Sequence, residues 1–142
     1  MRLVLIAAAA ALLFPAAVFA QNDSGSGAAD KQAIFTTPSN NIECTYTPQS
    51  GTEIYKPEDG GPELQCDRAQ PSYVRVVLGK SGPAQRTDNP GEQPCCSADP
   101  VVAYGQTWKG GPFVCHSEKT GPICERDDGH GMFISGAKVS VH

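Results

Sequence analysis

Six cysteines are the residues with the most chemical potential in this 142-residue chain: Cys44, Cys66, Cys95, Cys96, Cys115 and Cys124. In an oxidising compartment an even set of cysteines is typical of a disulfide framework. The paired C-x2-C elements of structural zinc modules are missing from the sequence, which disfavours a zinc site. We therefore predict that all six cysteines form disulfides.

The spacing of the last two cysteines predicts their pairing. If Cys115 lies directly opposite Cys124, then Lys119 and Thr120 form a two-residue hairpin connection. Facing residues at a non-hydrogen-bonded position of an antiparallel pair approach within disulfide range. The sequence therefore predicts a Cys115–Cys124 bridge.

The other four cysteines allow two arrangements. Neighbouring residues on a strand point to opposite faces, so Cys95 and Cys96 would bond two different partners, Cys44 and Cys66. We favour this arrangement because structural bridges are the usual role of cysteines in exported chains. The alternative joins Cys44 to Cys66 and leaves a Cys95–Cys96 bond, whose easier reduction would suit a redox protein.

One histidine has neighbours that could support catalysis. Glycines flank His130, which leaves its imidazole accessible, and Asp128 lies two positions before it, where a carboxylate can orient the ring. This pair is the basis of an alternative hypothesis, a small secreted hydrolase or metal-dependent enzyme centred on His130. The commoner role of such a Gly/Asp cluster is a tight turn before a strand. No familiar catalytic or nucleotide-binding motif is present, so we assign no catalytic residue, metal ligand or cofactor.

Two aromatic residues offer a second kind of site. Tyr104 and Trp108 are four residues apart across Gly105 and could form an exposed patch for a sugar or a peptide. The opposing interpretation makes them core anchors, because the chain has few other large apolar residues. The candidate binding residues are thus Tyr104, Trp108, Asp128 and His130.

The first twenty residues have the pattern of a secretory signal peptide. A positive start at Arg2 precedes an apolar run over residues 3–14, too short to span a bilayer, and small residues lead to Ala20. We predict a signal peptide over residues 1–20, a flexible tether over 21–32, and a single β domain over 33–142. The protein would be secreted or periplasmic, with no membrane span after cleavage.

Charge limits the partners of the exported chain. Without Arg2, ten Lys and Arg remain against fifteen Asp and Glu, scattered along the sequence. Because nucleic-acid binding needs a clustered basic surface, we expect no nucleic-acid partner. We expect a monomer whose partner, an envelope or extracellular component, the sequence leaves unknown.

Short alternating segments predict an all-β fold. Residues 72–78 alternate most clearly, and further strands are predicted over 34–37, 42–46, 63–66, 101–104, 106–109, 113–116, 132–134 and 137–141. Residues 79–93 are polar and turn-rich. The prediction is a small, disulfide-stapled sandwich or partial barrel of short antiparallel strands, and such a modest core makes its bridges important for stability.

Several segments resemble a family of uncharacterised exported bacterial proteins with the motifs F-x-TPS-x-NI-x-C, YGxTW, GxFxC, GxxC and GHGF. The matching segments are FTTPSNNIEC (35–44), YGQTW (104–108), GPFVC (111–115), GPIC (121–124) and GHGM (129–132). The chain departs from the pattern at Met132 and at the adjacent Cys95 and Cys96. The resemblance implies export and a cysteine framework but no activity. Our leading hypothesis is therefore a non-enzymatic envelope or extracellular binding protein.

Overall fold

The computed structural model describes residues 30–92 and 95–142. The predicted signal peptide and most of the predicted tether lie outside these residues. The described chain forms ten strands: β1 (Ala33–Thr36), β2 (Ile42–Thr47), β3 (Glu63–Arg68), β4 (Val74–Leu78), β5 (Gln85–Asp88), β6 (Thr107–Gly110), β7 (Phe113–His116), β8 (Ile123–Arg126), β9 (Gly131–Ile134) and β10 (Val139–Val141).

The strands form two antiparallel meanders. Sheet A contains β1 to β5 in chain order, and sheet B contains β6 to β10 in chain order, so every strand pairs with its neighbours in sequence. The two sheets pack face to face and do not close into a barrel. This confirms the predicted all-β fold, as a sandwich. The part of the chain that the structure describes contains no helix able to cross a membrane.

The core lies between the two sheets and is centred on four aromatic rings. Trp108 packs against Phe35 with ring centroids 4.8 Å apart and against Tyr46 at 5.8 Å, and Tyr46 meets Phe113 at 6.1 Å. Alternation explains these positions, because Tyr46 of β2, Trp108 of β6 and Phe113 of β7 are buried while residues next to them are more exposed.

Two disulfides lie inside this core, one in each sheet. Cys44 of β2 directly opposes Cys66 of β3, and Cys115 of β7 directly opposes Cys124 of β8. The predicted Cys115–Cys124 bridge is confirmed, with the predicted turn, since the Gly121 amide donates to the carbonyl of Glu118 over 3.0 Å. These bridges fit an oxidising extracellular or periplasmic environment.

The favoured pairing of the other four cysteines was wrong, and the Cys44–Cys66 bond of the alternative is the one observed. Cys44 and Cys66 bond each other. Cys95 and Cys96 are neighbours in an irregular segment outside sheet A, and the sulfur of Cys95 lies 3.5 Å from the carbonyl oxygen of Asp67. They belong to no strand, so the argument from alternating faces does not apply to them.

Two strand predictions also differ from the structure. β5 was missed because all four of its residues are exposed and polar, which leaves no apolar alternation to detect. Residues 101–104 form no strand, and only Val101 makes an isolated parallel bridge to Thr36. β5 is a solvent-exposed edge strand of sheet A, whereas residues 101–104 bury Val102 but lie along β1 at this one bridge only.

The meander sends alternate connections to opposite ends of the sandwich. We call the end formed by residues 48–62, 79–84, 111–112 and 127–130 the loop end. Contacts between the sheets confirm that these loops meet, since Arg126 of β8 donates to the carbonyls of Gly79 and Gly82 over 2.6 and 2.8 Å. At the opposite end Arg68 of β3 donates to the Ser135 carbonyl over 3.0 Å.

Candidate functional site

Three cavities open at the loop end among the residues that the structure describes. One of about 490 Å³ lies between the β2–β3 loop and the β6–β7 turn, above Tyr46. A second of about 400 Å³ lies between the β2–β3 and β4–β5 loops and is lined by Glu63. A third of about 570 Å³ lies between residues 30–32 and the β2–β3 loop. The concave surface at this end is therefore shared among loops from both sheets.

The β2–β3 loop, residues 48–62, is the longest of these connections and is held by local hydrogen bonds. The amide of Thr52 donates to the Tyr55 carbonyl over 2.7 Å. The Asp59 carboxylate accepts from the Gly61 amide and, over 2.9 Å, from the Lys80 amide, which ties this loop to the β4–β5 loop. The loop presents Ile54, which is 98% exposed, and the half-exposed Tyr55 beside it.

Tyr55 is anchored through its hydroxyl. It donates to Oε1 of the buried Glu63, at the start of β3, over 2.8 Å. Burial, together with this hydrogen bond, raises the pKa of Tyr55 to about 12. Burial also raises the pKa of Glu63 above its usual value. The pair fixes the direction of the aromatic ring while leaving part of it exposed.

Asp128 and His130, which the sequence singled out, meet at the loop end. Oδ2 of Asp128 lies 3.1 Å from Nδ1 of His130, and Oδ1 accepts the His130 amide over 3.2 Å. The buried Arg126 donates to both carboxylate oxygens, and this pairing holds the pKa of Asp128 well below its usual value. The predicted turn is present as well, since the Gly129 amide donates to the Arg126 carbonyl.

The chemistry open to this dyad depends on the partners of Nδ1 of His130. Arg126 Nη2 lies 3.3 Å from it, but a guanidinium only donates, so Nδ1 cannot accept from Arg126 while donating to Asp128. The shorter contact to the charged carboxylate favours Nδ1–H donating to Asp128. Among the described residues the ring bonds to no hydroxyl or thiol, and His130 lines none of the three cavities described above. The turn thus orients an imidazole without supplying a nucleophile.

The two aromatic candidates lie apart from this dyad. Trp108 is 5% exposed and belongs to the core, so it does not form an exposed patch with Tyr104. Tyr104 is 42% exposed and lies at the opposite end of the sandwich, where the Gly105 amide donates to the Ser117 carbonyl. The structure therefore brings together Asp128 and His130 only.

Sequence reasoning missed a buried polar network on the outer face of sheet A. Asp67 accepts from the Tyr73 hydroxyl over 2.9 Å and from Arg75 Nε over 2.8 Å, and Gln65 donates to it as well. Burial and the bond to Asp67 raise the pKa of Tyr73 to about 12. Polar residues at alternate positions of β3, namely Glu63, Gln65 and Asp67, were the available signal, but such patterns usually mark a solvated face.

Metal binding has little support among the described side chains. The sulfurs of Cys44, Cys66 and Cys124 lie within 4.8 Å of one another, but each belongs to a disulfide and so offers no thiolate. Their closeness shows instead that the two core bridges pack against each other.

No protein-family model, curated protein or solved structure matches this chain.

Proposed function

We propose that the chain is an exported, non-enzymatic binding module that engages an envelope or extracellular partner through its loop end. The observation that carries this proposal is the coincidence, at one end of the sandwich, of three cavities with the exposed side chains of Ile54 and Tyr55. Binding residues are commonly placed on loops that a rigid scaffold positions, and sandwich loops cluster at their ends.

The side chains at the loop end suit a protein interface. An exposed isoleucine beside a half-exposed tyrosine offers apolar area at the tip of the β2–β3 loop. Tyrosine is enriched at interfaces because its ring buries well and its hydroxyl keeps a polar partner. Here that partner is Glu63, so the ring is already oriented before binding.

Charge at the loop end favours a partner with basic groups. Apart from the ion pair of Arg126 and Asp128, carboxylates outnumber lysines among the residues of this end and its flanks: Asp30, Glu53, Glu58, Asp59 and Asp127 against Lys31, Lys56 and Lys80. Arg126 is occupied by Asp128 and by two carbonyls. A basic partner would be attracted, and its binding would weaken with added salt because these groups are exposed.

Affinity capture tests the proposal with a matched control at the other end. Oxidised wild-type protein, Ile54→Asp and Tyr104→Asp are immobilised at equal density and exposed to envelope extract from the host. Both substitutions replace an exposed apolar residue with an aspartate, one at the loop end and one opposite. We expect wild type and Tyr104→Asp to retain the same component and Ile54→Asp to lose it.

Two other outcomes would overturn the proposal in different ways. Equal retention by all three proteins would show that the loop end is not the binding surface. No component retained above blank resin, at low or moderate salt, would show that the chain is not a binding module for the envelope.

A further inference from the structure

Two cysteines remain after the core bridges have formed. The chain has six cysteines, and four of them pair as Cys44–Cys66 and Cys115–Cys124. Cys95 and Cys96 therefore have only each other as an intramolecular partner, and the structure places their sulfurs side by side. This pair is chemically distinct from the other four sulfurs and has no part in the proposed loop-end interface.

Access separates the adjacent pair from the core bridges. The four core cysteines are 0–1% exposed, whereas Cys95 and Cys96 are both partly exposed. Thiol–disulfide exchange begins when a thiolate attacks a disulfide sulfur, so it requires the attacking thiol to reach that sulfur. A thiol can reach the core bridges only after the sheets separate, but it can reach Cys95 and Cys96 in the folded protein.

The fold around the pair does not depend on their bond. The Glu43 carboxylate accepts hydrogen bonds from the amides of Ser97 and Ala98 over 3.0 and 3.1 Å. Just beyond, the amide of Thr36 donates to the Pro100 carbonyl, and that of Val102 donates to the Thr36 carbonyl. These bonds hold the segment on β1 and β2 whichever oxidation state the sulfurs adopt.

The bond also contributes little to the stability of the whole chain. A disulfide stabilises mainly by closing a loop in the unfolded chain, and its effect grows with the length of that loop. Cys95 and Cys96 are adjacent, so their bond closes no loop, while the core bridges span 22 and 9 residues. Making or breaking the adjacent bond therefore leaves the folded domain in place.

We propose that Cys95 and Cys96 form a reversible thiol–disulfide exchange site that reacts with an external dithiol while the domain stays folded. A thiolate of the dithiol attacks one of the two sulfurs, the Cys95–Cys96 bond breaks, and the other cysteine leaves as a thiolate with the electron pair. The second thiolate of the dithiol then resolves the mixed disulfide. The dithiol is oxidised to a disulfide, and the protein gains two electrons and two protons.

Alkylation mapping on the native protein tests this site, with dithiothreitol as the dithiol. Oxidised wild-type protein is exposed to graded dithiothreitol for fixed times, quenched with iodoacetamide and mapped by peptide mass spectrometry. We expect Cys95 and Cys96 to be labelled at least about a thousandfold faster than the core cysteines, whose exposure requires global unfolding. Fluorescence of the buried Trp108 should stay unchanged while the pair is reduced.

The double variant Cys95→Ser/Cys96→Ser is the matched control. It should melt at the wild-type temperature and take up no label under conditions that label the wild-type pair completely. When the reduced wild type is reoxidised with oxidised dithiothreitol, Cys95 and Cys96 should no longer react with iodoacetamide, because the exchange is reversible.

Three results would overturn the proposal. Core cysteines could be labelled as fast as Cys95 and Cys96. The pair could resist reduction until denaturant is added. Alternatively, both residues could be labelled before any dithiol is present, which would show that no bond forms between them in the oxidised protein.

Discussion

Deleting either core bridge should destabilise the domain by an amount set by the loop that the bridge closes. The double variants are Cys44→Ala/Cys66→Ala and Cys115→Ala/Cys124→Ala. The first bridge spans 22 residues and the second spans 9. The chain-entropy relation gives a loss of about 3.4 kcal/mol for the first and about 2.6 kcal/mol for the second at 25 °C.

The difference between the two losses in free energy of unfolding is a stricter test than either loss alone. All four sulfurs are equally buried, so each variant loses a similar amount of packing in the core. The difference of about 0.8 kcal/mol therefore reports loop length, and for a domain of this size it corresponds to about 3 °C in melting temperature. Losses near 3 kcal/mol are a large part of the free energy of unfolding of a small domain.

Urea unfolding followed by the fluorescence of Trp108 measures both losses, with calorimetry as a second probe. The control Cys95→Ala/Cys96→Ala removes the same number of sulfurs but opens no loop, so its free energy of unfolding should stay within about 0.5 kcal/mol of wild type. The reasoning is refuted if the Cys115–Cys124 deletion costs more than the Cys44–Cys66 deletion, or if neither deletion costs more than the control.

Three further substitutions test other parts of the structure. The pKa of Tyr73 is raised from 10.0 to about 12 in the folded protein, so the stabilisation from its protonated hydroxyl is full below pH 10 and falls as the pH rises towards 12. Between pH 9 and pH 12 the wild type should therefore lose on the order of 2 kcal/mol of its free energy of unfolding in urea through this group, and Tyr73→Phe should lack that loss. Arg126→Leu should lower the free energy of unfolding in urea by about 2–4 kcal/mol, because two backbone carbonyls lose a buried donor. Arg86 is exposed and donates to one carbonyl, that of Val139, so Arg86→Leu should lower it by no more than about 1 kcal/mol. Equal losses would contradict the role given to Arg126. Gly121→Ala should lower the melting temperature more than Gly129→Ala, because both glycines have positive φ but only a Cβ at Gly121 would collide with the backbone of β9.

Local patterns in the sequence predicted the strands that have one buried face and one exposed face. β2 and β4 alternate between buried and partly exposed residues, and their predicted limits were close to the observed ones. The Cys115–Cys124 pairing followed from spacing because a hairpin is a local structure whose register is set by its turn. In these places the information needed lies within ten residues.

Pairings between distant segments were not available from such patterns. The Cys44–Cys66 bond depends on the register of β2 against β3 across a 15-residue loop, which no local pattern fixes. The turn around His130 was predictable from its glycines, but Arg126 acts through the carbonyls of Gly79 and Gly82, more than forty residues away. The loop end itself emerges only once the meander order is known, because that order decides which connections share an end.

The distribution of covalent and polar links explains how the loop end is kept in shape. Each core disulfide joins two strands of one sheet, so neither bridge ties sheet A to sheet B. Besides the apolar core, three arginines make that connection by donating to backbone carbonyls of the other sheet: Arg68 to Ser135, Arg86 to Val139, and Arg126 to Gly79 and Gly82.

Arg126 differs from the other two arginines in its position, and from Arg86 also in its burial. It lies at the loop end, its side chain is 2% exposed, and it holds both the β4–β5 loop and the carboxylate of Asp128. A buried guanidinium without hydrogen-bond acceptors would destabilise the fold. The β4–β5 loop and the turn that contains Asp128 are therefore held where their oxygens accept from Arg126. Because the β4–β5 loop is tied in turn to Asp59 of the β2–β3 loop, one arginine fixes the surface that carries Ile54. The geometry of the proposed interface therefore depends more on Arg126 than on either disulfide.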